Sequence, residues 1–287
     1  MTGTRRGLVA ILGLCVASIA GTALAANFGS FSDTKGDVLL APDLTGVAIS
    51  SDDAGMITVK INVGNGAAEV ANGAVDVLVD VDQNPDTGSL YYGTEFALGL
   101  EKLVPRYFGI DTAGEFVEAA APASFQASFS GDVATFVFKA SEVGIGPTSG
   151  FNVAGLGASD VSVDGAPDIR TINYQLVAGT PALVPGPDTR APVDFAEKSS
   201  GTHGKKVDLW YFVADGRAET ADALRVYRGK KVLKTIRIPF DDTNPFLAYV
   251  ATWRVPKKVR GKLRFCVSSV DRAGNKSNVS CAPLTIK

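Results

Sequence analysis

The chain has one histidine, two methionines, two tryptophans and three cysteines in 287 residues. Each scarcity removes a class of chemistry. A Ser-His-Asp or Cys-His relay needs an imidazole to move the proton of its nucleophile. The only imidazole, His203, lies in the loop sequence Gly201-Thr-His-Gly204, with no nucleophile elbow near it. Catalytic zinc lacks ligands for the same reason. Gly155-Leu-Gly157 has neither the third glycine nor the following helix of a dinucleotide-binding turn. Carboxylates are plentiful, yet no two stand out as the acid and base of a glycoside hydrolase. We therefore expect no catalytic site.

Long apolar runs are also missing. Arg5 and Arg6 precede an apolar stretch from Gly7 to about Ala20, and Ala23-Leu24-Ala25 follows. This is the pattern of a secretory signal peptide over residues 1–25, cut after Ala25. The stretch is shorter than the ~20 residues that span a bilayer, and no second one exists. Leu14 precedes Cys15 where a lipoprotein needs a small residue. We expect a secreted, extracellular protein with no membrane insertion. Two cysteines then remain, Cys266 and Cys281, flanking the turn Asp271-Arg-Ala-Gly-Asn275. In an oxidising compartment such a pair is expected to form a disulfide, here one that pins the last two strands.

Bases are scarce in the first half. Residues 27–180 hold 20 acids against 6 bases, and residues 181–287 hold 10 acids against 20 bases, so net charges of −14 and +10 hide within an overall −2. The sign changes at Gly179-Thr-Pro-Ala-Leu-Val-Pro-Gly-Pro-Asp-Thr-Arg-Ala-Pro192, where Pro and Gly cluster and apolar periodicity stops. We read a linker over 179–192 between a domain at 27–178 and a domain at 193–287.

What the chain does have is alternation. Val47 and Ile49, then Ile57, Val59, Ile61 and Val63, then Val75, Val77, Val79 and Val81, each mark one face of a strand. In the second half Val207, Leu209, Tyr211 and Val213 do the same, as do Leu263, Phe265 and Val267. Short alternating strands broken by Gly, Pro and Asp turns predict an all-β chain of two antiparallel β-sandwiches in tandem. Residues 140–143 and 220–223 read as single helical turns.

The run Asp80-Val-Asp82-Gln-Asn84-Pro-Asp86-Thr-Gly88 places oxygen-bearing side chains at every second position. On an extended or gently turning backbone these share one side. Hard cations take six to eight such oxygens, so Asp80, Asp82, Asn84 and Asp86 are candidate Ca²⁺ ligands, with Glu95 and a backbone carbonyl available to complete the set. Asp33, Asp37 and Asp43 are candidates for the same or a second site. The run is not an EF-hand, because Pro85 stands at the sixth position and Tyr91 at the twelfth. Tyr91 and Tyr92, just beyond it, are candidate exposed aromatics for ligand stacking.

Several short motifs carry a family resemblance. Asp33-Thr-Lys-Gly-Asp37, Val79-Asp80-Val-Asp82-Gln-Asn84, Thr87-Gly88, Gly93-Thr-Glu95-Phe96, Asp168 and Asn173-Tyr-Gln-Leu-Val177 fall in one order. Together they make residues 31–177 resemble the family 9 carbohydrate-binding module and DOMON-like domains. That resemblance implies a two-sheet sandwich, structural calcium and, in many members, glycan binding. The first domain has no Trp, where glycan-binding members use tryptophan faces. With Met56 and no His it also lacks the axial ligands of haem-binding DOMON relatives. Residues 188–287, with Asp188-Thr-Arg-Ala-Pro192 and Val270-Asp-Arg-Ala-Gly-Asn-Lys-Ser277, resemble the immunoglobulin-like and fibronectin-type-III-like modules of secreted bacterial proteins.

The basic residues of the second domain, Arg225, Arg228, Lys230, Lys231, Lys234 and Arg237, then Lys257, Lys258, Arg260, Lys262 and Arg264, read first as solvated strand positions that prevent sheet-to-sheet pairing. We expect no nucleic-acid partner. The expected function is extracellular, non-catalytic binding of a polysaccharide or cell-wall polymer. A structural or adhesive module with a protein partner is the alternative.

Overall fold

The computed structural model describes residues 6–7, 28–147, 149–167, 171–176, 186–217, 219–245 and 247–287. The chain divides into two compact units, with a boundary in the sequence between residues 186 and 187. Each unit is a sandwich of two sheets, antiparallel but for one pairing, as the alternation requires. The expected signal peptide lies outside the described residues except for Arg6–Gly7, which pairs with Tyr249 and Val250. Of the expected linker, only residues 186–192 are described.

In the first unit, one sheet runs in the order Phe28–Ser32, Leu44–Ser51, Met56–Val63, Val133–Lys139, Gln126–Ser130. The other runs Val163–Ala166, Gly150–Ala158, Ala74–Asp80, Phe96–Glu101, Val104–Ile110, Phe116–Glu118, with Ile172–Gln175 also paired to Gly150–Ala158. The period-two valines and isoleucines meet between the sheets. Ile57, Val59, Ile61, Val75, Val77 and Val79 are fully buried there with Phe136, Phe138, Phe151 and Tyr174. Phe96 meets Phe138 edge-on with ring centroids 6.0 Å apart, the arrangement that the ring quadrupoles favour. The Tyr174 hydroxyl reaches Ser51 Oγ at 2.8 Å, so the one polar atom of that ring is satisfied.

Gly155-Leu-Gly157 lies inside a strand. A Cβ on Gly157 would stand 2.1 Å from the Pro42 carbonyl oxygen. Glycine here permits a close approach of two backbones, which is its use inside a strand. The segment Ala67–Asn72 forms a short helix with no clear periodic signal in the sequence. The expected turn at 140–143 is a 3-10 helix. The expected turn at 220–223 is instead part of the strand Glu219–Arg228. There Thr220, Asp222, Leu224 and Val226 alternate inward, and pairing on both sides overrides local propensity.

The second unit packs Val193–Ala196, Lys206–Ala214 and Tyr249–Arg254 against a sheet ordered Ser199–Gly201, Ser280–Ile286, Gly261–Asp271, Glu219–Arg228, Lys231–Asp242. Ser199–Gly201 pairs in parallel with the last strand. Leu209, Tyr211, Val213, Leu224, Val226, Phe265 and Leu284 fill the space between. Trp253 belongs to this core. The Asp271 carboxylate accepts the N–H groups of Gly274 and Asn275 at 2.7 and 2.8 Å, which fixes the turn between the last two strands. Cys266 and Cys281 face each other across those strands and are bonded. No helix among the described residues is long and apolar enough to cross a membrane.

The bridge joins residues 15 apart in sequence. Replacing both cysteines by alanine should lower unfolding stability by about 2–4 kcal/mol, read as a shift in the denaturant midpoint. An unchanged midpoint would mean that the turn and core alone fix the hairpin.

Candidate functional site

The strand Ala74–Asp80 ends where the acidic run begins. Asp80 is fully buried, and its cross-strand partner is Asn152. The Asn152 amide donates to Asp80 Oδ2 at 2.8 Å. Asn173 donates to Asn152 at 2.9 Å, and Gln175 donates to Asn173 at 2.8 Å. This ladder of amides crosses three strands and holds the Asp80 carboxylate in one orientation. Nothing in the sequence spacing pointed to it, because register creates it.

Beyond Asp80 the chain does not stay extended. Gln83 takes a positive φ of 57°, and the carboxylates of Asp80 and Asp82 fold back to accept the Asn84 N–H at 3.2 and 2.9 Å. The Asn84 side chain in turn accepts the Asp86 N–H at 3.2 Å. The run therefore turns rather than staying extended. Oxygens of Asp80, Asp82 and Glu95 come within 4.8 Å of one another, while Asp86 stays outside that cluster and Asn84 caps the turn. Glu95 is brought in by the adjacent strand. Its backbone N–H donates to the Val79 carbonyl at 2.9 Å, and its Oε2 accepts the Val81 N–H at 2.8 Å. Gly93, at φ 74°, lets this return segment pass close over the run, since a Cβ there would stand 2.4 Å from Pro85 Cα.

Three carboxylates this close repel. Two unit charges 4 Å apart interact by about 4 kcal/mol at a surface-like dielectric. Burial, with the charges of Glu95 and Asp82 added, pushes the Asp80 carboxyl up to about 8 against the pull of Asn152. Burial and Asp82 push Glu95 up to about 7. Such a cluster either holds protons or holds a cation. Its donors are all hard oxygens, the set that suits Ca²⁺ and Mg²⁺ over softer metals. A Ca²⁺ shell is about 5 Å across, and the cluster fits it.

A second acidic group joins Asp37, Asp43 and Asp164, with oxygens again within 4.8 Å. Asp164 faces Gly157 across the strand pair, and the missing side chain at Gly157 lets the Pro42–Asp43 segment lie against it. Asp43 accepts the Gly36 N–H with both oxygens, at 2.9 and 3.0 Å. Asp164 accepts the Leu44 N–H. These carboxylates already tie the N-terminal segment down through backbone donors. Asp33, grouped with Asp37 in the sequence, is not one of the three. Asp164 carried no sequence signal, and Asp168 lies outside the described residues.

The two tyrosines separate. Tyr92, at positive φ, is only 5 % exposed. It cannot offer a ring face, because the turn Ser89–Thr94 folds it inward. Tyr91 is half-buried and stacks on Phe116, with centroids 6.0 Å apart and planes 18° apart. Phe116 was not a sequence candidate.

No family model matches the chain, and no curated protein matches it. Among solved structures it is similar to a chimeric titin tandem carrying a fibronectin peptide, with 14% identity over 86% of this chain and 99% of that one and a TM-score of 0.23. It is also similar to the fibronectin(III)-like modules of Clostridium thermocellum CbhA, with 12% identity over 74% of this chain and 94% of that one and a TM-score of 0.24.

Asp76, two turns of the pleat before Asp80, has its carboxyl raised from 3.8 to about 7 by burial and by the charge of Glu101. A carboxyl raised on folding stabilises the chain while protonated. That contribution is whole below about pH 4 and is lost as pH rises through about 7. Asp76→Asn cannot ionise. It should melt above the parent at pH 8 and lose that advantage by pH 4; a constant difference across the range would show that Asp76 does not titrate in this window.

Proposed function

We propose that the protein is a secreted, non-catalytic binding protein whose first sandwich holds Ca²⁺ at Asp80, Asp82 and Glu95 and recognises extracellular glycan or cell-wall polymer. The observation that carries this reading is the convergence of those three carboxylates, two of them raised well above the ordinary range. A cation there removes the repulsion and locks the run to the return segment before Phe96. The rigid loop then presents the Tyr91–Phe116 ring pair, whose flat face suits a pyranose ring. The resemblance to family 9 carbohydrate-binding modules agrees with this arrangement, with tyrosine and phenylalanine in place of tryptophan.

The burial of Tyr92 favours a second reading, an adhesive module that contacts protein, because it halves the expected aromatic platform. Depletion from solution by insoluble polysaccharides and purified cell wall separates the two. Retention on one polymer with calcium, lost with EDTA and lost in Tyr91→Ala, supports glycan recognition. No retention on any polymer in either condition selects the adhesive reading.

The calcium assignment has its own readout. Calcium should raise the melting temperature of the parent, and Asp82→Ala should abolish that rise. A rise that survives in Asp82→Ala places the ion elsewhere.

A further inference from the structure

The second unit carries a charged surface that the calcium loop does not explain. On the strand Glu219–Arg228, Thr220, Asp222, Leu224 and Val226 point into the core, so Arg225 and Tyr227 point out. On Gly261–Asp271, Leu263, Phe265 and Val267 are buried, so Lys262 and Arg264 share the outer face. Register then sets their order. Arg237 is paired with Ala223, Arg225 with Cys266, and Tyr227 with Arg264. Each step from Arg237 to Arg225 to Arg264 therefore moves one strand over and two residues along. Lys262 continues the line two residues further down its own strand. The four cations form a diagonal row across three strands, with steps of about 7–8 Å.

The row has no counter-charge. Among the described residues the ion-paired carboxylates sit with Arg106, Arg217 and Arg272, and none pairs with Arg225, Arg237, Lys262 or Arg264. With Asp222 and Asp271 buried, the nearest remaining carboxylates along these strands, Glu219 opposite Asp242 and the adjacent Asp241, lie at the far end, about 13 Å along the strand from Arg237 and about 20 Å from Arg225. There Glu219 is held by Arg272 at 2.8 Å. Like charges in a row repel, and an anion laid along them removes that cost.

We propose that this diagonal row is a docking surface for a linear anionic polysaccharide. Charges in a line fit an extended chain of carboxylates, and guanidinium groups bind carboxylates through paired hydrogen bonds. Arginine is also enriched at protein interfaces; what selects an extended polyanion is the line the cations form, with Arg225 at its centre beside Thr235 and the Cys266–Cys281 bridge. Single-stranded nucleic acid adds stacking of its bases on aromatic faces; one face of the Tyr227 ring is already taken by the Arg264 guanidinium, 5.0 Å from its centroid.

The test uses the full chain and immobilised polygalacturonate, with neutral dextran and single-stranded DNA as comparison matrices. Two double variants remove equal charge. Arg225→Gln with Arg237→Gln breaks the row, and Lys230→Gln with Lys231→Gln alters only the hairpin tip. Salt-sensitive retention on polygalacturonate, weakened roughly tenfold or more by the first pair and little by the second, supports the proposal. Retention should not change with EDTA, which keeps this result separate from the calcium reading. Equal weakening by both pairs would reduce the row to a general field and overturn it. Tighter retention on DNA, or no polymer retention alongside self-association that the first pair abolishes, would also overturn it, the latter in favour of the acidic domain of a second copy.

Discussion

The first domain is organised around a carboxyl group closed off from bulk solvent. Asp80 ends a central strand at zero exposure. Burying an isolated charge is prohibitive, so such a group takes a partner, a proton or a metal. The surroundings supply the Asn152 side-chain amide, the Asn84 N–H and two further acids. The amide ladder from Gln175 to Asp80 orients the group but does not neutralise it. The turns after Asp80, the positive φ at Gln83 and the close passage at Gly93 all serve to bring Asp82 and Glu95 to it. Without a strand end that forces Asp80 inward, the acidic run would be an ordinary solvated loop.

The second acidic group shows what a different solution looks like. Asp43 and Asp164 spend their oxygens on the backbone N–H groups of Gly36 and Leu44. Backbone donors satisfy a carboxylate without a cation and lower its need for one. This cluster therefore reads as a fastening of the N-terminal segment, made accessible by the glycine at 157. Both groups of three acids accept backbone N–H groups; the first adds the burial of Asp80, which raises that carboxyl to about 8.

Much of the architecture was legible in the chain. Val75, Val77 and Val79 announced a strand with one buried face because period two has no other stable use. Cys266 and Cys281 announced their bond because a recognisable turn lay between them. The site was legible only in part. Asp80, Asp82 and Glu95 were in view, but the expected alternate spacing through Asn84 and Asp86 assumed an extended backbone, and side-chain capping of the turn broke that period. Asn152, Asn173, Gln175 and Asp164 were not visible as site residues, since strand register decides their neighbours, across 72 positions for Asp80 and Asn152 and 21 for Asn152 and Asn173. Tyr92 was misplaced for the same reason: exposure of a turn residue depends on which way the turn folds. The basic row was visible as composition and not as a line, because the diagonal exists only once three strands are paired.

A cluster that holds protons and suits a hard cation should exchange one for the other at Asp80, Asp82 and Glu95. Metal binding displaces protons from ligands that hold them, and Asp80 and Glu95, raised to about 8 and about 7, hold them near neutral pH. The direct measurement is proton release on calcium addition to weakly buffered protein at pH 7. Release of roughly one proton per calcium bound is expected, falling sharply in Asp80→Asn and Glu95→Gln. Calcium binding without proton release, or release unchanged in both variants, would contradict it.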